Sequence, residues 1–279
     1  MQTGRASKTA LRVAMRRAAH QELDRPCVLR DSIAVPLLGS LFSLDHKREM
    51  HPFARAFRAF MVMRSRHAED RFAEAATAGV TQYVVLGAGL DTFAYRNPFP
   101  HVRVFEVDFP ATQHWKRSLL AKARIPEPDN LTFVPLDFEH MTLAAGLVEA
   151  DFDMTKPAFF GWLGVVPYLT LDATRSTLQT IARLPVGTGV SFDYALSPES
   201  LSPLRRLAFG ALAARVAAAG EPFRLFFTPH QLELELYSAG FHRVEQRDSD
   251  QLNEMYFRDR TDGFKLPSGG LGMMATAWV

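Results

Sequence analysis

The run Val84-Val85-Leu86-Gly87-Ala88-Gly89-Leu90-Asp91-Thr92 joins an apolar, strand-like stretch to a glycine-x-glycine turn. Glycines in such a turn let the backbone approach a ligand with no Cβ in the way, and the turn offers free backbone amides. Roughly twenty residues further on, the distance at which a ribose-binding acid is expected, Phe105-Glu106-Val107-Asp108 ends in carboxylates. A third acid follows in Leu136-Asp137-Phe138, beside an aromatic ring. Carboxylates at successive strand ends accept hydrogen bonds from ribose hydroxyls or an adenine amino group, and a neighbouring ring packs on a base. Glu106 and Asp108 stand two apart and so share one strand face, which leaves spacing alone unable to choose between them.

A pyrophosphate-binding fingerprint requires a third glycine three residues after Gly89, and that position is Thr92. Asp91 would also set a carboxylate where the pyrophosphate must lie, a contact between like charges. A sulfonium ligand carrying an amino group tolerates such acids, so S-adenosylmethionine (SAM) is preferred over a dinucleotide. Histidine and acid pairs at ligand spacing are absent from these motifs, and no metal site is expected.

The elements that must hold these residues are legible from periodicity. Residues 1–80 read as helical with breaks at Pro26, Pro36 and Pro52, and Phe53, Phe57, Phe60 and Met61 predict a buried stripe on a helix from Phe53 to Ala78 that Gly79 ends. Seven strands are expected at Tyr83–Leu86, Val102–Val107, Leu131–Leu136, Ala158–Val166, Gly189–Tyr194, Phe241–Gln246 and Met273–Val279, alternating with helices such as Ala111–Ala123, Leu171–Arg183 and Pro229–Ala239. Continuous apolar strands separated by helices predict an α/β, doubly wound, seven-stranded, mainly parallel Rossmann-like sheet that binds its ligand beyond the carboxyl ends of the strands. One domain, 1–279, is expected: a helical N-terminal part (1–80), a cofactor-binding core (81–197), an Ala-rich helical insertion resembling a lid (198–227), and a C-terminal helix and strands (228–279).

Composition excludes several classes. Among 279 residues, 32 basic and 30 acidic side chains leave a net charge of +2, and no Lys or Arg run provides a phosphate-tracking surface, so nucleic acid is not an expected partner. Apolar residues reach 47%, enough for a real core. The one cysteine, Cys27, forms no internal disulfide and fits a reducing cytoplasm. Arg5, Lys8, Arg12, Arg16 and Arg17, unaccompanied by acids, superficially look like a transit peptide, but Leu11, Ala14, Met15, Ala18 and Ala19 share a helical face and predict an amphipathic N-terminal helix. The apolar stretch Leu207 to Ala219 is too short to span a bilayer, so no membrane segment is expected.

The blocks Gln82-Tyr83-Val84-Val85-Leu86-Gly87-Ala88-Gly89-Leu90-Asp91-Thr92 with Tyr95-Arg96, and Val104-Phe105-Glu106-Val107-Asp108-Phe109-Pro110, resemble the hallmarks of the leucine carboxyl methyltransferase family and its bacterial relatives. The likeness runs from Ser7 to the C-terminus and implies a class I SAM-dependent methyltransferase. By that resemblance Arg64, in Met63-Arg64-Ser65-Arg66, is the arginine that pairs with the SAM carboxylate, a role suited to a guanidinium fork. Gly87 and Gly89 match the glycines beside the methionine part, Asp108 is the ribose-binding acid, and Asp137 with Phe138 forms the adenine side; Asp91, in the same turn, is expected on the cofactor side from its chemistry alone. In Phe160-Gly161-Trp162-Leu163-Gly164-Val165-Val166-Pro167-Tyr168-Leu169-Thr170, Tyr168 matches the tyrosine near the methyl-transfer region. Leu163 stands where members with protein carboxyl methyltransferase activity carry the glutamate that contacts the SAM amino group, so a protein-tail substrate does not carry over.

Methyl transfer from a sulfonium is an in-line displacement that depends on positioning and exclusion of water. A carboxylate acceptor is already ionised, whereas a phenol or alcohol normally needs a base such as histidine. Of nine histidines none lies in the motifs; His20, His51, His67 and His230 are loose candidates. The expected activity is therefore O-methylation of a carboxylate on a small molecule or peptide. Competing expectations are O-methylation of a hydroxyl on a natural product, a SAM-binding protein without turnover, and a nicotinamide-dependent reductase.

Overall fold

The computed structural model describes residues 8–137, 141–203, 205–207, 209–210 and 222–279. Its centre is one seven-stranded sheet in the order β3-β2-β1-β4-β5-β7-β6. The strands are β1 (Gln82–Leu86), β2 (Arg103–Asp108), β3 (Leu131–Pro135), β4 (Phe159–Trp162), β5 (Gly189–Ala195), β6 (Arg243–Arg247) and β7 (Gly272–Trp278). All pairings are parallel except those of β7, which runs antiparallel to β5 and β6. The strand order reverses between β1 and β4, and at such a switch point a crevice opens beyond the strand ends.

Both faces of the sheet are covered, which is why β1, β4 and β5 read as continuous apolar runs. On one face Val84, Phe105, Phe160 and Phe192 pack against α6 (Leu143–Glu149), α7 (Leu171–Ala182) and α8 (Pro229–Ala239) through Leu147, Leu178, Ile181 and Leu236. On the other, Tyr83, Val85 and Phe159 meet α4 (Pro52–Thr77) around Phe72. Beyond it, Leu252 of α9 (Ser249–Tyr256) joins Val62 and Met63 of α4. A fourth cluster links α1 (Lys8–Leu23), α2 (Ala34–Leu38) and α5 (Pro110–Lys122) over the turn that follows β1, with Ala14, Leu37, Leu90 and Leu119 at its centre. α3 (His46–Glu49) is a single turn ahead of α4.

Three local expectations change. Pro36 lies inside α2 rather than breaking a helix, because in the first turn its missing amide has no intrahelical partner to lose. Phe53 is 46% exposed and leaves the expected stripe; farther along α4, Met61, Val62, Met63, Arg64 and Ser65 are consecutively buried, since that stretch is enclosed on all sides. The strand expected over Ala158–Val166 stops at Trp162, because Gly164 turns the chain with φ +69° into a 3-10 turn at Val166–Tyr168. Much of the expected 198–227 insertion lies outside the described residues. Its described end returns to the 3-10 turn after β4, where the Arg224 and Leu225 amides donate to the Pro167 carbonyl at 2.8 and 3.2 Å.

Candidate functional site

The glycine turn needs its glycines. Gly87 and Gly89 have φ of +66° and +52°, a region that a side chain disfavours. A Cβ on Gly87 would lie 2.5 Å from Val165 Cγ2, and one on Gly89 would lie 3.0 Å from the Cβ of Ala10 on α1. The turn is thus wedged between the β4 loop and the N-terminal helix. The amides of Gly87 and Ala88 donate to the Val107 carbonyl at 2.8 and 3.1 Å, fixing the ends of β1 and β2 side by side.

Asp108 closes this arrangement. Its Oδ2 accepts from the Gly89 amide at 2.5 Å and its Oδ1 from the Phe109 amide at 2.6 Å, and the Thr112 side chain also bonds the carboxylate, which still leaves acceptor capacity for a ligand hydroxyl. Burial raises its pKa despite those hydrogen bonds. The Leu136 amide donates to the Asp108 carbonyl at 2.9 Å, which draws Asp137 next to Asp108 at the neighbouring strand end. Phe138, the expected ring partner of Asp137, lies outside the described residues.

Glu106 separates from Asp108 despite the shared face. It lies two residues deeper, is 1% exposed, and forms an ion pair with the equally buried Lys116 of α5. Its other oxygen, Oε1, has no partner among the described residues. Burial outweighs the nearby Lys116 ammonium and raises its pKa to about 7. Of the two acids that spacing could not separate, Asp108 is therefore the one at the strand end.

Asp91 has both oxygens engaged by the protein. Oδ2 accepts from Arg17 Nη1 and Oδ1 from the Phe93 amide, each at 2.7 Å. Burial alone would raise its pKa, but Arg17, Arg96 and Lys116 overcome that and pull it to about 2. Arg17 also binds Asp31 (Nε to Oδ2, 2.9 Å) and Thr92 (Nη2 to Oγ1, 2.7 Å), while Arg96 grips Glu69 with both terminal nitrogens. Sequence reading named Arg17 only in the basic N-terminal stretch and did not single out Asp31, Glu69 or Lys116.

Arg64 reaches from α4 to the ends of β4 and β5. It is 7% exposed, and Nη1 donates to Asp193 Oδ2 at 3.2 Å, while Nε has no partner among the described residues. Asp193 Oδ1 accepts from the Gly164 amide at 2.6 Å. Leu163 brings an apolar side chain that packs with Val62 and Met63 of α4. Tyr168 sits in the 3-10 turn after β4, its ring 5.4 Å from that of Phe223. Phe223 in turn neighbours Phe209 and Phe226, an aromatic group at the described edges of the insertion.

The loose histidine candidates fall elsewhere. His20 is fully buried, with Nδ1 2.9 Å from Asp24 and Nε2 accepting the Val28 amide at 3.0 Å. His51 caps α4. His67 lies 3.1 Å from the Tyr256 hydroxyl, and burial with the Arg71 and Arg247 charges lowers its pKa to about 4. His230 is exposed at the start of α8. Among the described residues no group of three His, Cys, Asp or Glu could hold a metal ion.

This geometry meets an independent finding: the sequence profile of the leucine carboxyl methyltransferase family matches residues 10–182. The chain belongs to the leucine carboxyl methyltransferase family. Methyl transfer from SAM is the chemistry of this family member. Its relatives include YktD of Bacillus subtilis (strain 168), named for SAM-dependent methyl transfer, 31% identical over 291 aligned residues that cover 94% of this chain and 95% of that protein. A Mycobacteroides abscessus protein named for the same chemistry is 37% identical over 70% of this chain and 67% of its own. A solved methyltransferase structure from Thermobifida fusca YX superposes with TM-score 0.59 at 19% identity, covering 99% of this chain and 96% of that one. A DUF574 family protein from Streptomyces avermitilis gives 0.55 at 18%, over 87% and 94%. At those identities the solved structures establish a shared fold, and the seven-stranded, mainly parallel sheet is the one expected from the sequence.

Proposed function

We propose that this methyltransferase transfers its methyl group to a carboxylate oxygen of a small molecule or peptide. The supporting observation is the placement of the candidate bases: His20 and His67 are tied into buried structural contacts and His51 into a helix cap, whereas a carboxylate acceptor requires no base. The residues present fit the cofactor: Arg64 has a buried Nε with no partner among the described residues, Asp108 keeps acceptor capacity, and Gly87 and Gly89 hold the tight, positive-φ turn at the strand end. When bound, SAM supplies an electrophilic methyl group on a sulfonium. Arg64 holds the carboxylate end, Asp108 receives the ribose hydroxyls, and Asp137 borders the adenine. The turn at Gly87 and Gly89 lets the chain lie close to the methionine part. Tyr168 and Phe223 wall the acceptor side, where an apolar surround strips water from the attacking carboxylate.

Calorimetric titration of SAM and S-adenosylhomocysteine into the wild type and Asp108→Ala tests the cofactor site. Micromolar binding by the wild type, weakened at least ~30-fold in the variant by loss of charge-assisted hydrogen bonds, is expected. A screen of carboxylic acids and phenols with methyl-labelled SAM then tests the acceptor. Base-labile label supports the ester, base-stable label moves the reaction to a hydroxyl, and tight binding without transfer to any acceptor pool denies turnover.

A further inference from the structure

We infer that Asp193 of β5 is the acid that receives the ammonium group at the amino-acid end of the cofactor, while Arg64 takes its carboxylate; this rests on the reading of Arg64 given above. The two side chains are 8% and 7% exposed and joined by a single hydrogen bond of 3.2 Å. Each oxygen of Asp193 accepts one bond, from the Gly164 amide or from Arg64, and so retains a lone pair. Arg64 keeps Nε unpaired. A buried ion pair left half-satisfied is costly, and the cost falls when further charged hydrogen bonds complete it. A zwitterionic α-amino acid is the complement, with anion and cation on one carbon facing a cation and an anion that touch.

The surroundings place this pair at the cofactor crevice. The Gly164 turn lies directly on the guanidinium, since a Cβ there would be 2.8 Å from both Nη1 and Nη2. The next residue, Val165, is the one that presses on Gly87. The pair is therefore continuous with the glycine turn through two consecutive residues of the β4 loop, near the carboxyl ends of β4 and β5.

Three ligands separate recognition of the ammonium from mere support of Arg64: S-adenosylhomocysteine, its desamino analogue that keeps the carboxylate, and 5′-methylthioadenosine, which has neither group. Asp193→Asn is expected to weaken S-adenosylhomocysteine at least ~tenfold and to leave the other two within about twofold, the scale of one charge-assisted hydrogen bond. Equal losses for S-adenosylhomocysteine and the desamino analogue would mean that Asp193 only holds Arg64, and overturn the inference, as would no loss at all. Binding of 5′-methylthioadenosine reports whether the variant is folded. Should it not fold, Arg64→Gln is compared with Arg64→Gln/Asp193→Asn, which carries no uncompensated buried cation at this site. The preference for the amino-bearing ligand must persist in the first and vanish in the second, and its persistence in both would overturn the inference. Wild type that binds none of the three sinks the cofactor-site reading itself, an outcome distinct from either.

Discussion

Two sets of buried charges flank the glycine turn, and they differ in how completely they are paired. In the set around Arg17, all three guanidinium nitrogens find partners in Asp31, Asp91 and Thr92, and Arg96 adds a two-point grip on Glu69. In the set around Arg64, one nitrogen meets Asp193 and Nε meets nothing among the described residues. The first set fastens α1 to the loop after β1, and its charges are consumed by the fold. The second retains donors and lone pairs beside the crevice, the condition for meeting a charged ligand. Burial and charge are alike in both, so saturation is what distinguishes a strut from a site.

The largest effect should come from the saturated set. Arg17→Met leaves Asp31 and Asp91 without their principal cation, and breaking a buried pair on one side typically costs about 3–5 kcal/mol. A thermal-unfolding midpoint lowered accordingly is expected, with S-adenosylhomocysteine affinity of the folded variant within about threefold, less than one charge-assisted hydrogen bond. Binding that collapses while the midpoint holds would reverse the roles assigned to the two sets.

Glu106 sharpens the comparison because it is neither saturated nor at the crevice. Its folded-state pKa is raised from 4.5 to about 7, so the folded protein holds that proton more tightly than the unfolded chain does. Stability from this group is greatest below the unfolded value of 4.5 and is lost as pH rises toward about 7. By linkage the loss is on the order of 3 kcal/mol. Glu106→Gln should flatten the fall in denaturant-derived stability across that window. An unchanged slope would show that Lys116 keeps Glu106 ionised throughout.

What was legible in the sequence follows the same division. The glycine turn and the acids ending β2 and β3 declare themselves because their chemistry is local: a strand, a tight turn and a strand-end carboxylate within a few residues. The sheet was equally readable, since double coverage leaves uninterrupted apolar strands. Asp193 was not singled out, because its partner Arg64 is 129 residues away, although an acid inside the apolar run Val190-Ser191-Phe192-Asp193-Tyr194 is itself a signal. Asp91 shows the converse. Its place in the motif suggests a ligand role, and the spacing gives no sign of its ion pair with Arg17, 74 residues earlier. Spacing located the strand ends but could not report which acids were already paired.

The smallest expected effect concerns the acceptor side. Tyr168→Phe keeps the ring that lies 5.4 Å from Phe223, so stability and cofactor affinity should hold. If the acceptor is a carboxylate, the hydroxyl moves no proton, and kcat should fall by less than about tenfold, well short of the roughly 10²–10⁴ that a general base supplies. The pH profile of kcat should keep its shape. A loss of about a hundredfold or more, with a basic limb removed from that profile, would make Tyr168 a proton acceptor. The acceptor would then be a hydroxyl. The contrast between a saturated strut and an open binding site would stand, but the open site would extend past Arg64 and Asp193 to a group that also takes part in the chemistry.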